Sequence, residues 1–89
     1  MPTRDITIIN RLGLHARAAS KFVALASQFD ADIKLRRNNR EVNGKSIMGV
    51  MMLAAGKGTE LTLIAEGSDA DDALNALEEL VQARFEEAE

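Results

Sequence analysis

The chain reads as an α+β fold, an open-faced β-sandwich in which a four-stranded, mainly antiparallel sheet carries three helices on one face. Three observations predict it. Apolar residues switch between period two and period 3.6 along the chain, in the order β-α-β-β-α-β-α. The later strand segments alternate apolar with charged residues, so each has a wet face, which excludes an all-parallel sheet buried on both sides. The length, 89 residues, suits one domain spanning 1–89, which buries roughly 60% of its unfolded surface.

Each element follows from its residues. Residues 5–9, Asp-Ile-Thr-Ile-Ile, are rich in β-branched side chains and predict the first strand. Residues 10–15, Asn-Arg-Leu-Gly-Leu-His, form a loop punctuated by Gly13. A helix is predicted from 16 to about 28: Ala19, Phe22, Val23 and Ala26 share one face with Phe29, and Arg17, Ser20, Lys21, Ser27 and Gln28 lie opposite. Residues 31–37 place Ile33 and Leu35 against Asp32, Lys34 and Arg36, a half-buried strand. Asn38-Asn39 tolerates positive φ and predicts a tight turn, with 40–43 pairing back. Ser46 reads as the N-cap of a short helix over 47–54. Gly56 and Gly58 break the chain, and 60–66 alternates again. Ser68 is expected to open the last helix, with Asp69, Asp71 and Asp72 in its first turn, where the dipole favours anions. Leu74, Leu77 and Val81 form its buried stripe, flanked by Ala73, Leu80 and Phe85.

Composition narrows the function. There is no cysteine, which removes disulfide scaffolds, thiolate metal sites and thiol catalysis together. With no tryptophan, no tyrosine and three phenylalanines, the chain lacks the rings on which nucleic-acid modules stack bases. No apolar run approaches the roughly 18 residues that span a bilayer, and Met-Pro-Thr-Arg-Asp is no signal peptide, so a cytoplasmic protein without membrane insertion is expected. The net charge of −3 hides a polarity: residues 1–45 carry nine Lys/Arg against four Asp/Glu, and residues 46–89 two against ten. The basic stretch Lys34-Leu-Arg36-Arg37-Asn-Asn-Arg40 lacks interleaved aromatics and is read as a solvated hairpin, not a nucleic-acid site.

The one histidine, His15, ends the glycine loop and stands just before the helix, with Arg17 two residues on. The unbonded N–H groups of a first helical turn and the positive end of the dipole make an anion site, here from Ala16, Arg17 and Ala18. A guanidinium adds a planar fork of donors matched to phosphate oxygens. An imidazole beside them offers a nucleophilic nitrogen near neutral pH. His15 and Arg17 are therefore the candidate reacting residues, for a group that accepts a phosphoryl on nitrogen and donates it onward. Such transfer asks mainly for positioning and charge stabilisation, so neither a metal nor a cofactor is expected.

The segment Asn10-Arg-Leu-Gly-Leu-His15-Ala-Arg17, followed by Lys45-Ser46-Ile-Met-Gly-Val-Met51, resembles the HPr family of histidine-containing phosphocarriers of the bacterial phosphoenolpyruvate:sugar phosphotransferase system. The likeness extends over nearly the whole chain, through Gly56-Lys-Gly58 and Asp71-Asp-Ala-Leu-Asn-Ala-Leu77. It implies that His15 takes phosphate from phospho-Enzyme I on Nδ1 and passes it to an Enzyme II A component, with Arg17 steadying the group. The protein would then be a carrier, with no turnover apart from its partner enzymes. Many members have proline where this chain has Ala18.

The resemblance also implies that Ser46 is a target of HPr kinase/phosphorylase, since Asn43-Gly-Lys-Ser46-Ile-Met-Gly is similar to the regulated members. A capping role alone also accounts for that serine. In the short helix, Ile47, Val50, Leu53 and Ala54 can face the sheet, leaving Met48, Met51 and Met52 without burial; with Ile47 they form a candidate docking patch, for which methionine is well suited. The working form is expected to be a monomer. Two other readings stand beside this one: a regulatory carrier of the nitrogen-related branch, and a non-catalytic α+β binding module in which His15 is incidental.

Overall fold

The computed structural model describes residues 2–86. Their elements run β1 (Thr3–Thr7), α1 (Ala16–Ala26), β2 (Asp32–Arg37), β3 (Arg40–Asn43), α2 (Ile47–Met52), β4 (Glu60–Glu66) and α3 (Ala70–Gln82), closed by a short turn over Arg84–Glu86. The sheet order is β1-β4-β2-β3 and every pairing is antiparallel. β1 and β2 both lie against β4, with Ile6 opposite Leu61, Leu35 opposite Leu63 and Ile33 opposite Ala65. This register puts their apolar side chains on one face, where they meet Ala18, Ala19, Phe22 and Ala26 of α1 and Ala73, Leu74, Leu77 and Val81 of α3. The other face carries the charged alternates, with Asp5, Thr62, Arg36 and Glu41 in one cross-strand row. This is the open-faced sandwich that the patterning predicts.

Boundaries depart from expectation in five places: β2 begins at Asp32, one residue later than 31, and the other four departures each have a local reason. β1 begins and ends two residues earlier than 5–9. Its ladder stops at Thr7 opposite Glu60, because β4 begins there. Ile8 still exchanges bonds with Thr59 and Gly58, at 2.9 and 2.7 Å, but on the turn preceding β4. The polar start is held from elsewhere: Arg4 donates to Glu78 Oε1 at 2.6 Å and Asn75 Oδ1 at 3.1 Å, both on α3. α1 ends at Ala26, after which Gln28 and Phe29 bond to carbonyls three residues back. α2 stops at Met52, and Ala54 turns to φ +51°.

The last departure is the start of α3. Its N-cap is Asp69, not Ser68, and that side chain makes no capping bond to its own helix. Asp69 instead accepts from the backbone N–H groups of Asp30 and Ala31, each at 2.8 Å, tying α3 to the turn between α1 and β2. Gly67 makes the approach possible: at φ +145° it lies so near that turn that a Cβ would come within 2.9 Å of the Ala31 Cα.

Candidate functional site

His15 is the N-cap of α1, with extended φ/ψ of −74° and 177° and a half-buried side chain that makes no capping bond to the helix. The first intrahelical bond runs from Ala19 N to His15 O at 2.8 Å. The N–H groups of Ala16, Arg17 and Ala18 therefore precede the helical ladder, at its positive end. Ala16 and Arg17 are exposed, whereas the Ala18 side chain is fully buried. Alanine thus serves at the third helical position by packing inward, and the N–H that proline would lack belongs to a turn with no intrahelical acceptor.

The loop before His15 is fixed from inside. Asn10 is fully buried, the one buried polar residue among those described. Its Nδ2 donates to Gly13 O at 2.9 Å, and its carbonyl accepts from Gly13 N at 3.2 Å. Leu14 N donates to Ala55 O at 2.8 Å. Gly13 is compelled by both conformation and space: φ is +66°, and a Cβ there would lie 2.4 Å from Ala55 O. The loop is thus closed by Asn10 and laid against residues 55–56, delivering His15 to the start of α1. The sequence shows Asn10 as the first residue of this loop and of the segment that carries the resemblance, but not the buried bond by which its side chain closes the loop.

Ser46 is the N-cap of α2, and its Oγ accepts from Gly49 N at 3.1 Å. The preceding turn is set by Asn43, whose side chain accepts from Lys45 N at 2.9 Å and whose carbonyl accepts from Ser46 N at 3.1 Å. Ser46 is half-buried, with its hydroxyl oxygen already engaged as a cap.

α2 buries little of its apolar surface. Val50 is fully buried and Leu53 nearly so, while Met48 is 74% exposed and Ile47, Met51 and Met52 are exposed with it. The expectation that Ile47 and Ala54 face the sheet is wrong: both are exposed, since Ile47 is the first residue after the cap and Ala54 lies beyond the helix in the left-handed turn. Leu12, in the His15 loop, is another exposed apolar residue at 63%, one that periodicity could not detect.

The basic hairpin is not merely solvated. Arg37 Nη1 donates to Leu53 O at 2.7 Å and Ala54 O at 3.0 Å, and Arg40 Nη1 donates to Met52 O at 2.9 Å. A groove of about 770 Å³ beside it is lined by Arg37, Asn38, Arg40, Met52 and Leu53 among others, and not by His15. No described helix is long and apolar enough to cross a membrane.

Known proteins resemble this chain over its whole length. The family described as "PTS HPr component phosphorylation site" matches residues 2–83. A phosphocarrier protein HPr from Pseudomonas aeruginosa is 59% identical over 90 residues, covering all of both chains. The crystal structure of HPr from Thermoanaerobacter tengcongensis superposes with a TM-score of 0.96 at 43% identity, over the full length of each chain. An HPr dimer from the same organism gives 0.79 at 44% identity, covering 98% of this chain and all of that one.

Proposed function

The chain belongs to the HPr family, the phosphocarriers of the phosphotransferase system, and from that premise we propose that its phosphoryl group is carried on His15. The group arrives from phospho-Enzyme I and leaves to an Enzyme II A component. An imidazole nitrogen, Nδ1 in this reading, forms the N–P bond as the bond to Enzyme I breaks, and the reverse exchange unloads the group onto the acceptor. The single supporting observation is the placement of His15 as a half-buried N-cap beside three amides that precede the helical ladder. Those amides and the exposed Arg17 are suited to hold the oxygens of the dianion, so charge is met by preorganised donors. The apolar faces of Ile47, Met48, Met51 and Met52 serve as the docking patch, and methionine's flexible side chain fits successive partners.

Ser46 is the second proposed site, modified by HPr kinase/phosphorylase. A phosphate there stands at the favourable end of the α2 dipole, so the fold tolerates it and the effect falls on partners that meet the adjoining patch. The working form is read as a cytoplasmic monomer, because a shuttle needs one His15 per encounter.

The test uses two labels. Incubation with phosphoenolpyruvate and Enzyme I is expected to yield an acid-labile, base-stable adduct that is absent from His15→Ala. Incubation with ATP and the serine kinase is expected to give an acid-stable adduct lost in Ser46→Ala. An undiminished first adduct in His15→Ala sinks the reading.

A further inference from the structure

The end of α2 is finished by residues far away in sequence. The last carbonyls of a helix have no donors within it and must find them elsewhere. Here the β2–β3 hairpin supplies them to three successive residues: Arg40 to Met52 O, and Arg37 to Leu53 O and Ala54 O, at 2.7–3.0 Å. A guanidinium also suits the negative end of the helix. Ala54 sits at φ +51°, which costs an alanine energy and persists only where the surroundings hold it.

The two arginines reach different destinations. Arg40 holds Met52 O alone, and Met52 belongs to the exposed patch. Arg37 holds the two carbonyls immediately before Ala55, whose own carbonyl accepts from Leu14 N, the residue that precedes His15. The contact between Gly13 and Ala55 leaves no slack: the position a Cβ would take on Gly13 is 2.4 Å from Ala55 O. A displacement of Ala55 is therefore passed to the loop and not absorbed.

We propose that Arg37 is a positioning residue for phosphoryl transfer, acting through residues 53–55 on the backbone that presents His15, and that Arg40 positions the docking helix. This inference rests on the reading that His15 carries the phosphoryl. Loss of Arg37 releases Ala54 from its left-handed conformation and loosens the Ala55–Leu14 bond, so the imidazole and the α1 amides no longer hold their relative geometry. Loss of Arg40 frays the last turn of α2 and leaves the His15 loop in place.

The experiment compares the wild type, His15→Ala, Arg37→Gln, Arg37→Lys and Arg40→Gln as substrates of Enzyme I with phosphoenolpyruvate, at varied carrier concentration. For Arg37→Gln the maximal rate falls about tenfold with KM little changed, since misplaced reacting groups lose rate steeply. For Arg40→Gln, KM rises several-fold with the maximal rate little changed. Arg37→Lys, which keeps a donor for one carbonyl, recovers part of the rate. Amide hydrogen exchange at Leu14 quickens in Arg37→Gln and not in Arg40→Gln. The inference is overturned by wild-type kinetics in Arg37→Gln, by both variants moving one parameter alike, or by unchanged exchange at Leu14. If Arg37→Gln does not fold, Arg37→Lys decides: an intermediate rate with quickened Leu14 exchange supports the inference, and wild-type values of both overturn it. A wild type that takes no phosphoryl from Enzyme I overturns the His15 reading itself, a result separate from any in the arginine variants.

Discussion

His15 and Ser46 hold the same position, each the N-cap of its helix, and their side chains do opposite things there. Ser46 turns its hydroxyl back to accept from Gly49 N, so the start of α2 is served from within. His15 makes no such bond, and the amides of Ala16, Arg17 and Ala18 precede the helical ladder without a side-chain cap from it. The contrast shows that one backbone geometry allows two kinds of helix start, one capped from within and one not. A capping side chain stabilises a helix by satisfying its orphan donors; a side chain that declines to cap keeps those donors for a guest.

The sharpest way to break the contrast is to make His15 cap. His15→Asp places a carboxylate where Ser46 has its hydroxyl, and the fold gains about 0.5–1 kcal/mol from the cap and the dipole. The acid-labile, base-stable adduct formed from Enzyme I is lost altogether, since a carboxylate can form only a base-labile acyl phosphate. Urea unfolding and base-stable labelling, measured on one preparation, are expected to move in opposite directions; a variant that keeps the base-stable label removes His15 from the mechanism.

Next in size is the surface beside the two caps. Met48→Asp puts a charge on a side chain that is 74% exposed, so stability changes by no more than about 0.5 kcal/mol. Docking is expected to weaken about tenfold, roughly 1.4 kcal/mol, read as a rise in KM toward Enzyme I. If KM stays at the wild-type value, the exposed methionines serve no docking role with this partner.

Ser46→Ala is smaller again. Removing the hydroxyl leaves Gly49 N without its acceptor and costs about 1 kcal/mol, checked by chemical unfolding. Ser46→Thr restores most of it. Phosphoryl transfer through His15 is expected to continue in both, because the α1 terminus does not depend on that bond.

What the sequence made legible follows the range of the forces involved. Strands 40–43 and 60–66 were predicted with the boundaries observed, since alternation within a strand is written in neighbouring residues. The buried stripe of α3 was legible for the same reason. The end of β1 was not, because it is set by where the partner strand turns at Gly58–Thr59. The burial of α2 was half legible: Val50 and Leu53 are inward as periodicity requires, but Ile47 opens a helix only six residues long, Ala54 lies beyond its end, and both escape its pattern. Arg37 and Arg40 read as solvated charge because their acceptors are backbone carbonyls, which no side-chain pattern reveals. The places of His15, Arg17 and Ser46 at two helix starts were legible because helix starts are local events.

Asp69 extends the comparison to the third helix. It too is an N-cap, but it spends its carboxylate on another segment, accepting from Asp30 N and Ala31 N. The Asp30 N–H, foremost, holds its carboxyl below the ordinary aspartate range; partial desolvation opposes this, and the Ala31 N–H adds to the lowering. A carboxyl depressed on folding binds protons more readily in the unfolded chain. It therefore contributes stability in full above its ordinary value of 3.8, and the contribution fades as pH falls through the lowered value. Neutral pH conceals the proton linkage, so this is the smallest expected effect and appears only in the acid limb of the stability curve. Comparing Asp69→Asn with the wild type between about pH 6 and pH 2, the stability difference is expected to narrow as the medium acidifies. In Ser46→Ala, whose cap carries no titrating group, the difference from the wild type stays constant over the same range. Parallel acid limbs for all three proteins would mean that Asp69 bridges α3 to the α1–β2 turn through geometry alone, with its charge contributing nothing.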